Sequence, residues 1–323
     1  MNPPWPNTTL NFGRAVRFVV FSPSESHLAF AHYARAHDVV HVWDRWGKEA
    51  LLVGHTRRII NCLEYSSDEE YLASGCQDGS IRLWHTESFH TASSQISSER
   101  PTRRPKQADI ILGGTPRGDV TALSFSRTDP NLLVSGGSDG EIKVWNVKEQ
   151  ACIHAFNSRL SYIRSLSFTG GADSACVAVA STGSIIRFWK AEGSSDFESE
   201  TIGEEAVGPS VLSPSGSFLA TSSYSCADSA STLRLYELET MTKTQSIVMP
   251  GMRASCFAMS PDSKQLVFSD YRGNIRLLQT DDFSLQRDLH PREESSSRSV
   301  TFDPTCRVLA CGHLDGTLEL RCL

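Results

Sequence analysis

Long hydrophobic runs are missing from this sequence. No stretch of about 18 consecutive apolar residues occurs, which excludes a membrane-spanning helix of ordinary length. The first residues, MNPPWPNTT, contain neither the basic nor the apolar segment of a secretory leader, so the chain is expected in the cytosol or nucleus and not secreted. There is no excess of positive charge either. Lys and Arg number 31 against 37 Asp and Glu, and the net charge of -6 argues against general binding to nucleic acid or to an anionic membrane. The nine cysteines form no CxxC pair. Their odd number and their scatter (Cys62, Cys76, Cys152, Cys176, Cys256, Cys311) read as reduced thiols used as small core residues. A Gly-rich phosphate loop, a GxSxG elbow and an HExxH pair are all absent, so no cofactor and no catalytic residue is assigned.

What the chain does contain is a repeat. From Gly54 to His85 it reads GHTRRIINCLEYSSDEEYLASGCQDGSIRLWH, three short alternating segments separated by turns at Ser67–Glu70 and Gln77–Gly79. Ser66 ends the first segment, and counterparts follow the same pattern at Ser22, Ser126, Thr169, Ser213, Ser260 and Asp303. The gaps of 44, 60, 43, 44, 47 and 43 residues, with four strands per unit, are the signature of a β-propeller. Seven anchors imply seven four-stranded antiparallel blades in a single all-β domain over residues 1–323.

The 60-residue gap holds an insertion over residues 90–108, rich in Ser, Thr, Gln and Pro and carrying Arg100, Arg103, Arg104 and Lys106. It reads as a solvated loop between the third and fourth strands of blade 2. The polar stretch GSSDFESETIGEEA, residues 193–206, resists assignment.

Gly54-His55, the Asp78-Gly79 turn, the closing Trp84 and the literal Trp43-Asp44 resemble the WD-repeat family of propellers. Ser135, Asp139 and Trp145-Asn146 repeat the pattern, which decays where Tyr236, Leu278 and Arg321 replace the Trp. The resemblance implies that residues 8–13, through Thr9, Leu10 and Asn11, add to the last blade and close the ring, so that truncation before Gly13 destabilises it. It also implies that His55, Ser74, Asp78 and Trp84, with Ser135, Asp139 and Trp145, form a structural network: indole to hydroxyl, hydroxyl to imidazole, imidazole to carboxylate. A serine, a histidine and an aspartate in one unit therefore do not signal a nucleophilic enzyme. His27, His32, His37 and His41 crowd the first unit, but the spacing of His37 and His41 suits metal binding only on a helix.

In the family, partners dock on residues flanking the apolar position early in each first strand and on the residue before the turn Asp. Carried over position by position, this gives Arg17, Asn61, Asp119, Tyr162, Arg164, Arg253, Tyr271 and Arg298. Arginine forks bind carboxylates and phosphates, and tyrosines supply rigid contact area. The expected function is a non-catalytic protein–protein interaction scaffold in a multi-protein complex, binding an acidic or phosphorylated peptide of a partner. A second reading, substrate receptor of a cullin-type ubiquitin ligase, rests on Lys148 after Trp145, where that motif has an acid after the Trp and an Arg at its end. A third is an enzyme using the central channel.

Overall fold

The computed structural model describes residues 8–32, 37–44, 49–56, 59–87, 89, 108–113, 118–158, 162–169, 176–181, 184–191, 197–206, 208–238, 240, 242–289 and 295–323. The 90–107 part of the insertion lies outside them, as do the side chains of His55 and of residues 169–206. β1 is Thr8–Asn11. Sheet 1 is β2 (Val16–Phe21), β3 (His27–His32), β4 (His37–Asp44) and β5 (Glu49–Thr56). Sheet 2 is β6 (Ile60–Tyr65), β7 (Tyr71–Cys76), β8 (Ile81–His85) and β9 (Ile110–Leu112). Sheet 3 is β10 (Val120–Phe125), β11 (Leu132–Gly137), β12 (Glu141–Asn146) and β13 (Ala151–Asn157). Sheet 4 is β14 (Ile163–Thr169), β15 (Cys176–Ser181), β16 (Ser184–Ala191) and β17 (Phe197–Ala206). Sheet 5 is β18 (Ser210–Leu212), β19 (Phe218–Ser225), β20 (Ala230–Glu237) and β21 (Thr242–Pro250). Sheet 6 is β22 (Ala254–Met259), β23 (Gln265–Asp270), β24 (Ile275–Gln279) and β25 (Leu285–Leu289). Sheet 7 is β26 (Ser297–Phe302), β27 (Val308–His313) and β28 (Thr317–Cys322). Within each sheet the strands pair antiparallel in chain order, and β1 lies outside β28, with Thr9 opposite Glu319.

The anchor residues share one physical task. Ser22, Ser66, Ser213, Ser260 and Asp303 each accept, through a side-chain oxygen, the backbone N–H five residues on, at 2.6–3.0 Å. Ser126 accepts that of Asp129 at 3.1 Å. This satisfies a donor at the start of the second strand that burial would otherwise leave unpaired. The Trp position is equally regular. Trp43, Trp84, Trp145 and Trp189 stand opposite Leu28, Leu72, Leu133 and Val177, and their replacements Tyr236, Leu278 and Arg321 stand opposite Leu219, Leu266 and Leu309.

The core lies between successive sheets. Ala29, Val40 and Leu52 of sheet 1 meet Ile60, Leu72 and Trp84 of sheet 2. Comparable clusters join sheets 2 and 3, 3 and 4, 5 and 6, and 6 and 7. Another joins Val308, Ala310 and Leu318 of sheet 7 to Val16, Val19 and Phe30 of sheet 1. Sheet 7 thus packs back on sheet 1. The approach is close enough that a Cβ on Gly75 would lie 2.4 Å from Val120 Cγ1, and one on Gly136 2.5 Å from Ile163 Cγ2.

Two expectations need correction. Of the eight free cysteines described, Cys62, Cys76 and Cys311 are buried, but Cys152 and Cys226 are exposed, so only part of the set is core. Burial drives the Cys62 and Cys311 thiols far up and pushes Cys76 up to about 12, which makes all three poor nucleophiles. Of the polar stretch that resisted assignment, Phe197–Ala206 forms β17, paired with β16.

Candidate partner-binding face

One end of the sheets is built by a repeated device. Gln77, Ser138, Tyr271 and Leu314, each in the turn after a second strand, donate a backbone N–H to the carbonyl of Ile59, Asp119, Arg253 and Ser296 at 2.9–3.2 Å. The buried residue that follows each of these carbonyls (Ile60, Val120, Ala254 or Ser297) is at most 6% exposed, and Val16 and Ile163 match them. Immediately after it the first strand bulges. Arg17, Asn61, Thr121, Arg164, Ser255 and Arg298 are the bulged residues of sheets 1, 2, 3, 4, 6 and 7. A bulge re-aims a side chain. Six equivalent positions are therefore turned by the same local geometry, and the sequence pattern alone gave no sign of it.

The bulged residues divide into two kinds. Asn61 Nδ2, Thr121 Oγ1 and Ser255 Oγ donate to the carbonyls of Val120, Ile163 and Ser297 in the next sheet at 3.0, 2.6 and 2.8 Å. The Asn61 amide, expected to face a partner, is thus engaged within the chain, because a carbonyl at that seam needs a donor. The other three bulged residues are arginines.

The structure gathers the expected residues into two groups. Asp119, Tyr162 and Arg164 lie within electrostatic reach of one another: burial pushes the Tyr162 phenol up, Arg164 draws it down and Asp119 pushes it up again. In the second group, Arg253 is exposed, and its guanidinium carbon lies 5.0 Å from the Tyr271 ring centroid and 5.2 Å from that of Tyr224. Two aromatic faces hold one arginine. Tyr224 was missed because it lies within the irregular stretch SYSCADSAS, where no position was assigned. Exposed Arg298 follows on sheet 7, near enough to Cys256 to lower its thiol pKa against the larger upward effect of burial, and half-buried Arg17 follows on sheet 1.

The inner polar network is present only in part. Trp145 Nε1 donates to Ser135 Oγ at 2.8 Å, and Asp139 Oδ1 accepts the Glu141 N–H at 3.0 Å. Asp78 Oδ1 likewise accepts the Ser80 N–H at 2.9 Å. Trp84, however, has a buried indole N–H with no acceptor, so the expected link to Ser74 is absent. Its ring is fully buried among Ala29, Val40, Val42, Leu52 and Leu72, and apolar packing holds it.

Sheet 7 carries a cluster that the sequence pattern did not reveal. Ser297 Oγ lies 3.2 Å from His313 Nδ1, His313 Nε2 lies 3.6 Å from Glu319 Oε2, and Arg321 Nε donates to Glu319 Oε1 at 2.8 Å. The order Ser, His, Glu imitates a hydrolytic triad. Ser297 is 0% exposed and His313 4%, so no substrate carbonyl can reach the hydroxyl. Arg321 occupies the Trp position, and an ionic chain stands where sheet 3 has an indole and a hydroxyl. In sheet 1, His32 stacks on His41 and on Phe12, while His41 lies tilted against Phe12. His37 and His41 share the strand β4, which separates them by about 13 Å. Among the described residues no group of three or more His, Cys, Asp or Glu could hold a metal ion.

Among the described residues, four-stranded antiparallel sheets joined by apolar clusters, with turns aligned at one end, define a β-propeller class of protein. A family model described as "WD domain, G-beta repeat" matches residues 47–85 and 110–146. TSET complex member tstF of Dictyostelium discoideum is 32% identical over 121 residues, covering 38% of this chain and 9% of that protein. Periodic tryptophan protein 2 of Arabidopsis thaliana is 25% identical over 270 residues, covering 81% of this chain and 27% of that one. The chain spans less than a third of the length of these relatives. A chain from "Crystal Structure of Mitotic Checkpoint Complex" superposes with a TM-score of 0.75 at 16% identity, over 99% of this chain and 92% of that one, which is a likeness of fold. Residues 47–85 and 110–146 thus match WD repeats, the family that the sequence pattern resembles.

Proposed function

We propose that the seven sheets are blades of one closed ring fastened by β1, and that the ring is a non-catalytic scaffold for protein–protein interaction. Its Arg and Tyr end takes an acidic or phosphorylated segment of a partner protein. The observation that carries this reading is Arg253 held between Tyr224 and Tyr271. A long flexible side chain loses entropy when a ligand fixes it. Two flanking rings restrain the guanidinium beforehand while its N–H edge stays available to a carboxylate or phosphate. Arg298 and Arg17 extend the same charge across sheets 7 and 1, in a protein that is acidic on average. The names of similar proteins, a TSET complex member and a mitotic checkpoint complex, support a place in a multi-protein assembly. The composition supports a site in the cytosol or nucleus.

The test is fluorescence anisotropy with labelled neutral, acidic, phosphorylated and basic peptides. Acidic or phosphorylated peptides are expected to bind best and to weaken with salt. Arg253→Ala is expected to cost about 2 kcal/mol of affinity, roughly thirtyfold, as for a central interface anchor. Equal binding across the panel, or indifference to Arg253→Ala, refutes the assignment.

A further inference from the structure

The core between sheets 6 and 7 does not end flush with the surface. At the end opposite Arg253 and Tyr271 it opens into a groove of about 500 Å³, within the roughly 300–1,000 Å³ typical of ligand sites. Leu277 and Leu323, which belong to the apolar cluster joining the two sheets, line its floor. Gln265 Nε2 donates to Gln286 Oε1 at 2.9 Å, which makes one wall neutral and self-satisfied. Arg287 and Arg307 are exposed on the rim, and among the described residues neither makes an ion pair. The neighbouring acids are already engaged. Asp288 pairs with Arg276 at 3.2 Å, Asp303 accepts the backbone N–H groups of Arg307 and Val308, and Asp262 accepts that of Lys264. Among the described residues no acid lines the groove.

The edge of the groove matters as much as its floor. β25, which supplies Gln286 and Arg287, is the last strand of its sheet, and among the described residues no strand pairs with its outer edge. Leu285 on the same strand is 53% exposed. An extended segment lying along β25 would meet, in order, an open strand edge, an apolar floor and two uncompensated guanidinium groups.

We infer that this groove is a second docking surface, for an extended segment of a partner protein in which a leucine-sized residue is flanked by Asp or Glu. The apolar side chain continues the inter-sheet core over Leu277 and Leu323, and the flanking carboxylates pair with Arg287 and Arg307. This site is separate from the Arg253 end and does not depend on it.

The experiment uses the full chain and three labelled, end-capped peptides: Asp-Glu-Leu-Asp-Glu, the same peptide with Ser for Leu, and Lys-Lys-Leu-Lys-Lys. The first is expected to bind about tenfold more tightly than the Ser peptide, which keeps the charge and loses the apolar burial, and the Lys peptide is expected not to bind. The double variant Arg287→Glu with Arg307→Glu is expected to weaken it at least about tenfold, with unchanged circular dichroism because both side chains are exposed. Arg253→Ala is expected to leave the leucine-dependent binding unchanged. The inference is overturned by absence of saturable binding, by equal affinity for the Leu and Ser peptides, or by indifference to the double variant. Loss of binding in Arg253→Ala alone would assign the peptide to the other end and equally overturn it.

Discussion

Glu319→Gln tests the ionic chain of sheet 7 directly. The substitution keeps the shape of the side chain but removes the charge that Arg321 and His313 face at 2.8 and 3.6 Å. Breaking a buried pair by neutralising one partner costs about 3–5 kcal/mol. The Arg321 side chain is 14% exposed, so the lower figure, about 3 kcal/mol, applies. The entropy of unfolding is roughly 2.1 cal/mol/K per residue, or about 0.7 kcal/mol/K for a chain of 323 residues, which turns 3 kcal/mol into a fall in Tm of about 4 °C. The pH dependence has a definite sign. Burial alone would push the Glu319 carboxyl up, yet hydrogen bonds from His313 and Arg321, with their charges, hold it below the ordinary glutamate value. A carboxyl with a depressed folded pKa contributes stability above its unfolded pKa and loses it as pH falls through the folded one. The gap in Tm between wild type and variant is therefore full at pH 7 and shrinks below about pH 4.3. Thermal melts followed by circular dichroism at several pH values read both quantities. Glu141→Gln serves as control, since Glu141 pairs with Lys143 at 3.3 Å but is 32% exposed, and its loss is expected to cost under about 1 kcal/mol. A Glu319→Gln protein melting within a degree of wild type at pH 7, or a gap that does not narrow in acid, refutes the reasoning.

Two further changes probe the packing. Trp84→Ala removes a fully buried indole from the seam between sheets 1 and 2 and is expected to cost about 3–5 kcal/mol, read from the urea midpoint. A wild-type midpoint would show that the seam is not where the structure puts it. Gly316→Ala places a Cβ 2.2 Å from the Arg14 nitrogen at φ +95°, so it is expected to cost more than the roughly 1–2 kcal/mol of a left-handed backbone alone, whereas Gly251→Ala, with open space around it, stays within that range. Equal costs for the two glycines would contradict the close approach of Arg14.

The periodic features were legible because each reflects a need that recurs in every sheet. Ser66 and its counterparts could be counted from the sequence because a buried turn there needs a side-chain acceptor, and Asp303 meets that need as well as a serine. The decayed Trp positions were placed in register for the same reason: Tyr236 and Leu278 are 6% and 1% exposed and fill the space an indole would fill. What escaped notice depended on contacts between sheets. A bulge leaves no mark on alternation, so the shared geometry of Arg17, Arg164 and Arg298 was invisible. Tyr224 meets Arg253 only across the seam between sheets 5 and 6. The sign that could have exposed the chain in sheet 7 was Glu319, an acid at the position held by Arg82 and Lys143 in sheets 2 and 3, two residues before an arginine in place of Trp.

The pairing of β1 with β28 also bears on how the chain is made. Thr9 faces Glu319, so sheet 7 draws on residues from both ends of the sequence. At about 5–20 residues per second, a ribosome takes some 15–60 s to travel from one to the other. Throughout that interval the segment Thr8–Asn11 has no strand to join, and its backbone donors and acceptors face water or a chaperone. Contacts this distant along the chain form late and slowly. The sheet completed last is therefore the one whose interior holds a histidine, a glutamate and an arginine, groups that stay hydrated at little cost until the final strand arrives.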